Sequence, residues 1–455
     1  MDALPTLICL ELLEADSLKM AIWKKHCERK VQHKLFRTMK SALYLCLLLL
    51  GLQVQGQQQV QQVPGPEEQS QADHENLPHV KLAPSNADFA FKLYKQIRDE
   101  SGNRNIFFSP LSISTAFAML TLGARSNTLR ELQKGLGFNL TQMEEQEIHE
   151  GFQRILQLLN DPHREDQLNM GNALFIDNKV KLLQNFLDRV TNFYYAEPVS
   201  SNFQNLPQAI KEINTYVETK THGKFVDLVK GLDSETVMIL INYIFFRGSW
   251  ERPFDSLITK DDDFFLDAKN SVKVKMMHQN DDFKVHRDEK LSCWVVEMPY
   301  KGNVTALFVL PDKDTMKQVE DALLKETVSN WLRALEEREI YLDLPKFSIS
   351  GSYDVKSLFE KMGVTEVFSD QADLSGVAKD LLKVSKAIHM ATVDVRENGT
   401  EAAAVTLLGF KFTSAPFTPP PHITFNSPFL MMIIDKTTDG LLFLGKIVNP
   451  TAKED

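Results

Sequence analysis

The segment 397–421, which reads ENGTEAAAVTLLGFKFTSAPFTPPP, constrains the fold of this chain most strongly. Residues 399–406 are mostly small and include no proline, whereas the part beyond Ser414 is rich in proline and cannot join a central strand. Three consecutive alanines also favour a helix or a flexible linker, so composition leaves both structures open. Strand-forming segments follow to the C-terminus and would anchor one end of the segment in a sheet. We therefore expect an exposed loop tethered to a sheet.

Helical and strand patterns occupy separate parts of the chain. Asn86 can cap a helix in which Phe89, Leu93, Tyr94 and Ile97 recur at helical spacing. Further helices are predicted at 111–122, 144–159 and 322–337. Strands are predicted at 237–246, 293–298, 305–310, 340–344, 423–434 and 441–448, with an Asp-Gly hairpin between the last two. This order predicts an α+β domain built on antiparallel sheets.

The bulk properties are those of a globular protein. The 455 residues can form one large sheet-rich domain, and 43% of them are hydrophobic and 25% charged. The formal net charge of −10 argues against attraction of the whole surface to nucleic acid or anionic lipid. We therefore expect no nucleic-acid partner.

The N-terminal region contains an apolar run at 42–52 that is too short to span a bilayer but suits the core of a signal peptide. A signal peptide at 39–56 predicts a secreted, extracellular protein with no membrane contact after its removal. Residues 1–38 are then either an upstream extension foreign to the native protein or a cytoplasmic lead that turns the run into a membrane anchor. Residues 57–85 are rich in Gln, Glu and Pro and predict disorder, so a single folded domain is expected at 86–455.

Cysteines and sequons also fit secretion. Three of the four cysteines precede the expected cleavage site, which leaves Cys293 unpaired. Its apolar surroundings predict a buried hydrophobic residue rather than a nucleophile. Three Asn-X-Thr sequons are candidate glycosylation sites: Asn139, Asn303 and Asn398.

Signatures of common enzymes are missing from the sequence, which has no GxSxG elbow, Gly-rich phosphate loop, CxxC pair or HExxH helix. His74, Glu75 and His79 resemble a metal motif only loosely, because the spacing is one residue too long and Pro78 would break the helix. We therefore expect neither enzymatic activity nor a metal or cofactor.

Several long motifs resemble those of the serpin family, in the family's order. The motifs are NIFFSPLSI (105–113), NYIFFRGSW (242–250), LPKFSIS (344–350), ENGTEAAA (397–404) and TFNSPFL (424–430). The third is most similar to the antitrypsin and antichymotrypsin branch. The resemblance covers nearly all of 86–450. It implies helices packed on three mainly antiparallel β-sheets, with an exposed reactive-centre loop at 397–421.

The resemblance also implies a mechanism, inhibition of a chymotrypsin-fold serine protease by a suicide substrate. The protease would attack the loop and form its acyl-enzyme, while residues 397–413 insert into the main sheet. The implied hinge residues are Glu397, Gly399, Thr400, Glu401, Ala402, Ala403 and Ala404. Alternate residues of an inserted strand face the core, and this set, Thr400, Ala402, Ala404 and Thr406, is small and uncharged.

Counting along the loop as in the family places the scissile bond at Thr413-Ser414. Thr413 before the bond would suit an elastase-type protease, whereas Phe412 would suit a chymotrypsin type and Lys411 a trypsin type. The sequence leaves these alternatives open, and the elastase or chymotrypsin type is favoured.

By the same resemblance, four residues form a polar shutter beneath the main sheet: Ser109, Ser112, Asn242 and His389. Trp250 and Lys346 belong to the breach at the top of the sheet, where Lys346 pairs with Glu397. A glycan on Asn398 would stand beside the opening of the sheet and is expected to slow insertion.

The remaining expectations concern partners. The helix at 144–159 is acidic, so we expect no strong dependence on heparin. We also expect the protein to be a monomer. The alternative function is a non-inhibitory serpin that carries a hormone or another small hydrophobic ligand. Small residues at alternate hinge positions favour the inhibitor.

Overall fold

The computed structural model describes residues 76–196, 198–400 and 419–452. Most helices precede most strands, as the sequence predicts. The helices are α1 (Pro78–Ser101), α2 (Pro110–Thr121), α3 (Ser126–Gly135), α4 (Glu145–Leu159), α5 (Gln184–Tyr194), α6 (Leu206–Lys220), α7 (Met316–Asp321), α8 (Lys325–Ala334) and α9 (Val355–Lys361). The strands are β1 (Ile106–Phe108), β2 (Gln167–Asp177), β3 (Val199–Ser201), β4 (Met238–Arg247), β5 (Lys260–Phe265), β6 (Ser271–Asp288), β7 (Cys293–Pro299), β8 (Val304–Pro311), β9 (Glu336–Pro345), β10 (Phe347–Asp354), β11 (Lys386–Val395), β12 (His422–Thr424), β13 (Phe429–Asp435) and β14 (Gly440–Ile447).

The central sheet has five strands in the order β10-β11-β4-β2-β3. Its two middle strands, β11 and β4, run parallel, while β10 and β2 flank them in antiparallel register. β4 reads MILINYIFFR and is almost wholly apolar because both of its faces are covered. Ile239, Ile241 and Tyr243 on one face share a cluster with residues of α6, and the other face contacts α2. Asn242 therefore faces α2.

The large sheet joins the other nine strands into one hydrogen-bonded network. The 18-residue strand β6 makes this possible, because it pairs with β5 at one end, with β9 along its middle and with β7 at the other end. Backbone pairing among the described residues thus gives two continuous sheets where three were expected. The central sheet is also mixed rather than mainly antiparallel.

Helix α2 lies at the junction of the two sheets. Ser109 caps it by accepting a hydrogen bond from the Ser112 amide, and Pro110 occupies its first turn. Every residue of the helix is buried, and the helix contacts β4 and β2 of one sheet and β14 of the other. Its N-terminus consequently points polar groups at the underside of the central sheet.

The fold begins earlier than the sequence predicts. Helix α1 starts at Pro78, so the prediction of disorder at 57–85 is wrong for residues 78–85. Residues 76–77 directly precede the helix, and residues 57–75 lie outside the described part of the chain. Burial of Leu82 overrides the polar composition, because this side chain packs against α4. Gly151 permits the approach, since a Cβ there would lie 2.5 Å from Leu82 Cδ1.

Two further boundaries differ. The helix predicted at 322–337 ends at Ala334, because residues from Glu336 onward pair with β6. The strand predicted at 423–434 is divided into β12 and β13 by residues 425–428, where Pro428 has no amide for the ladder. The hairpin at Asp439-Gly440 joins β13 and β14, as predicted.

Cys293 is fully buried, so its predicted burial is confirmed, and this burial raises the pKa of its thiol to about 12. Asn139 and Asn303 are exposed.

In the described part of the chain, no helix is both long and apolar enough to cross a bilayer. Across the same residues, no group of His, Cys, Asp and Glu side chains is arranged to hold a metal ion.

Candidate functional site

The two parallel strands at the middle of the central sheet define the site. β11 pairs with β4 over seven residues, from Lys386 opposite Ile239 to Thr392 opposite Phe245. Above this point, the strands continue to Val395 and Arg247 without pairing to each other. The sheet is therefore closed along its middle and open at its upper end.

A polar row crosses the sheet where it is closed. Tyr353, His389, Asn242 and Asn172 occupy matching positions on β10, β11, β4 and β2. His389 Nδ1 is hydrogen-bonded to Asn242 Oδ1 across the parallel pair. Asn242 Nδ2 donates to Asn172 Oδ1 at 2.6 Å, and the Tyr353 ring stacks on His389.

The N-terminus of α2 completes this network from below. The Ser109 amide donates to His389 Nε2 at 3.0 Å, and Asn242 Nδ2 donates to Ser112 Oγ at 2.6 Å. The structure thus brings together all four residues expected in the shutter. Because Nε2 accepts the Ser109 amide proton, the proton of the neutral imidazole belongs on Nδ1, where it is donated to Asn242.

His389 is held in this neutral form. Burial lowers its pKa to about 3, and the ring has no exposed surface. Protonation would turn Nε2 into a donor facing the Ser109 amide. The hydrogen bonds that join His389 to Asn242 and to the Ser109 amide are therefore neutral and buried.

At the open upper end, the chain turns back immediately after β11. The Arg396 amide donates to Gly399 O at 2.8 Å and the Gly399 amide to Arg396 O at 3.0 Å, which makes 396–399 a tight turn centred on Glu397 and Asn398. Gly399 is bridged antiparallel to Arg396 on one side and to Ser249 on the other. The chain beyond the turn thus starts a further strand in the gap between β11 and β4.

Thr400 extends this strand by one residue. Its amide donates to Gly248 O at 2.6 Å, and its hydroxyl oxygen accepts from the Gly248 amide at 2.5 Å. The residue is 3% exposed. The approach requires glycine on both sides: a Cβ on Gly399, whose φ is +124°, would lie 2.1 Å from Gly248 O, and one on Gly248 would overlap the Tyr300 ring.

Trp250 fastens the turn to the sheet. Its indole Nε1 donates to Arg396 O at 3.0 Å and its amide to Asn398 O at 2.9 Å. The buried ring stacks on Tyr300, with centroids 4.1 Å apart. The turn is therefore held mainly through its backbone carbonyls.

Glu397 adds an electrostatic contact with Lys346, whose Nζ lies 2.9 Å from Glu397 Oε2, and with Thr259, which donates to Oε1 at 3.0 Å. Partial burial opposes ionisation, but these hydrogen bonds outweigh it and hold the pKa of Glu397 below its usual value. The pair expected in the breach is present.

The remaining predicted residues lie outside the described part of the chain: Glu401, Ala402, Ala403, Ala404, Lys411, Phe412, Thr413 and Ser414. Other contributors were not predicted from the sequence: Gly248, Thr259, Tyr300, Asn172 and Tyr353. Gly248 lies within the motif 242–250, so the sequence indicated this segment but not the residue itself. Asn172 lies on β2, where the mixed sequence QLNMGNALFID gives a weak strand signal.

Comparison with known proteins agrees with this architecture. A family model described as Serpin (serine protease inhibitor) matches residues 84–450. Alpha-1-antiproteinase of Bos taurus is 47% identical over 386 residues, which cover 85% of this chain and 92% of the relative. Alpha-1-antitrypsin of Sus scrofa is 48% identical over 381 residues, which cover 84% and 90%.

Solved structures are similar at the level of the whole fold. Human thyroxine-binding globulin in complex with its hormone aligns with a TM-score of 0.78 and 42% identity, covering 82% of this chain and all of that one. Human glycosylated kallistatin aligns with a TM-score of 0.77 and 42% identity, covering 83% and 100%. An α+β domain with a hinge at the open end of a mixed sheet is the serpin architecture. This chain belongs to the serpin family, in its antitrypsin-like branch.

Proposed function

We propose that this protein is an extracellular inhibitor of serine proteases that acts as a suicide substrate. The observation that carries the proposal is the position of Gly399 between the extensions of β11 and β4. An additional strand has already begun there, and its first buried side chain, Thr400, is small. Antiproteinases among the relatives support the same function.

The direction of the strands favours insertion. β11 and β4 run parallel, so a chain that turns back at 396–399 and continues downward is antiparallel to both. Insertion would replace one parallel pairing with two antiparallel ones, each of which is slightly more stable per residue. The segment 400–413 is longer than β11, so an attached protease would be carried past the lower end of that strand.

Cleavage is proposed at Thr413-Ser414, with Phe412 and Lys411 as the alternative residues before the bond. These positions favour a protease of elastase or chymotrypsin type. The proposal includes secretion after removal of the signal at 39–56.

The proposed inhibitor acts as a monomer and without strong dependence on heparin. Helix α4 supports the second point, because Glu145 and Glu147 occupy its first turn and would repel a polyanion.

A carrier function is the second candidate, and the likeness to thyroxine-binding globulin favours it. A pocket of about 660 Å³ lies between the end of α1, β10 and α9. Most of its lining is polar and includes Arg104, Asn105 and Asp354, whereas a small hydrophobic ligand needs a mainly apolar lining. This pocket therefore does not favour the carrier.

The test is incubation with pancreatic elastase, chymotrypsin and trypsin, followed by denaturing electrophoresis and mass determination of the released C-terminal peptide. We expect a complex that survives denaturation and a peptide that begins at Ser414. Thr400→Arg should abolish the complex and leave plain cleavage, because the charge cannot be buried in the sheet, while Thr400→Ser should retain it. Cleavage of the wild-type protein by every protease without a complex would contradict inhibition.

A further inference from the structure

The side chain of Asn398, on the turn at 396–399, has no part in the proposed inhibitory function. Asn398 is the second central residue of the turn, a position where asparagine is common. Its backbone carbonyl accepts the Trp250 amide, but no hydrogen bond among the described residues involves its side-chain amide. The side chain is partly exposed.

Asn398 also begins the sequon Asn398-Gly399-Thr400. In the folded protein, Gly248 encloses the Thr400 hydroxyl, so the sequon is accessible to a modifying enzyme only before folding. Modification at that stage attaches the sugar to Asn398 Nδ2, which displaces the diphosphate from C1 of a lipid-diphosphate-linked oligosaccharide. The N-glycosidic bond forms, and lipid diphosphate and a proton are released.

We propose that Asn398 carries an N-linked oligosaccharide that shields the upper opening of the central sheet from a strand of a second copy of this chain. The inference rests on the proposed secretion and on the capacity of the sheet to accept a strand. It replaces the expectation that a glycan here slows insertion of the chain's own loop.

The glycan should affect the two kinds of insertion differently, because only the chain's own loop is joined covalently to β11 through the turn at 396–399. A strand formed by the chain's own loop continues from Gly399, already between Arg396 and Ser249, and keeps the Asn398 side chain above the sheet. Insertion in cis therefore does not move the glycan into the gap. A strand from another molecule has no such turn and must enter past the glycan and displace Gly399. Unpaired strand edges of this kind are templates for pairing between chains.

The first experiment measures occupancy. Protein secreted from mammalian cells is digested with peptide-N-glycosidase in heavy-oxygen water, and the peptide containing Asn398 is analysed by mass spectrometry. We expect conversion of Asn398 to labelled aspartate. An unmodified Asn398 would overturn the proposal.

The second experiment measures self-association on mild warming, by size exclusion with light scattering, and needs no protease. Asn398→Gln should form oligomers several-fold faster than the wild type, whereas Asn139→Gln and Asn303→Gln should not. Wild type and Asn398→Gln made in bacteria, both without glycans, should associate at the same fast rate. Equal rates for the secreted proteins, or a difference between the bacterial ones, would overturn the shielding role.

The two proposals fail separately. Loss of protease inhibition would leave both measurements on Asn398 intact. Insertion of the chain's own loop is measured as the gain in thermal stability after a protease cuts the loop. We expect the same gain in Asn398→Gln as in the wild type.

Discussion

Different kinds of interaction hold the chain together at the open upper end of the central sheet and at its closed middle. At the top, the turn is fastened by hydrogen bonds to its carbonyls and by the partly exposed pair of Lys346 and Glu397. In the middle, His389 and Asn242 are bonded across β11 and β4 in a buried, neutral network. Water can replace contacts at the top but not in the middle, so the middle should control how easily the strands part.

The largest expected effect is at Asn242. Asn242→Ala removes hydrogen bonds to Ser112, Asn172 and His389 and leaves buried polar groups unpaired, so the free energy of unfolding should fall by about 3 kcal/mol. Urea unfolding followed by tryptophan fluorescence measures this. As a control, Thr392→Ala on β11 loses one bond to Ile349 O and should cost about 1 kcal/mol. Equal losses of unfolding free energy in the two variants would contradict the inference that the buried network holds the middle of the sheet most strongly.

The effect of His389 on the pH dependence of stability tests the same buried network. Its pKa in the fold is about 3, against 6.5 for the ordinary group. Between these values, the unfolded chain binds a proton that the fold excludes, so stability falls as the pH drops from 6.5 towards 3, by about 1.4 kcal/mol per unit.

The measurement is the free energy of unfolding at about pH 7 and about pH 5, where this group should contribute a loss of about 2 kcal/mol. His389→Gln has no such group, and its stability should change less over the interval. The same slope in both proteins would show that His389 does not titrate in this way.

Trp250 tests the top of the sheet. Trp250→Phe loses the bond from Nε1 to Arg396 O but keeps an aromatic ring against Tyr300, so we expect a loss of about 1 kcal/mol and faster amide exchange at 397–400. Trp294→Phe, on β7, is the matched control and should leave exchange at the turn unchanged. Unchanged exchange in Trp250→Phe would mean that the indole does not fasten the turn.

The smallest effect is expected for the ion pair. Lys346→Met should cost no more than about 1 kcal/mol at neutral pH, because Lys346 is partly exposed. The pKa of Glu397 lies below its usual 4.5, so the contribution is complete above that pH and is lost as the pH falls through the folded-state value. Urea unfolding at neutral and acidic pH checks this.

Lys361→Met, which breaks an exposed pair with Glu100, provides the baseline for a surface lysine. A difference between wild type and Lys346→Met that persists in acid would assign the effect to packing of the lysine stem instead.

The sequence was most informative where local and global signals agree. β4 was recognised because its ten residues, apolar except for Asn242 and Arg247, suit a strand buried on both faces. Strand β6 was missed because SVKVKMMHQNDDFKVHRD carries polar residues throughout, and its pairing with three other strands supplies what its own pattern lacks. The start of α1 was missed for the related reason that its burial depends on α4.

By itself, the sequence determined the family and the α+β class, because these follow from motifs and element order. Through the resemblance, it also predicted the four shutter residues and a hinge with small side chains. Only the tertiary structure decided that Tyr353 and Asn172 continue the polar row of His389 and Asn242, that Gly399 already lies between the two strands, and that Asn398 lies at the tip of the turn. Each of these depends on strand register and on contacts between residues far apart in the chain, and a local pattern does not encode either.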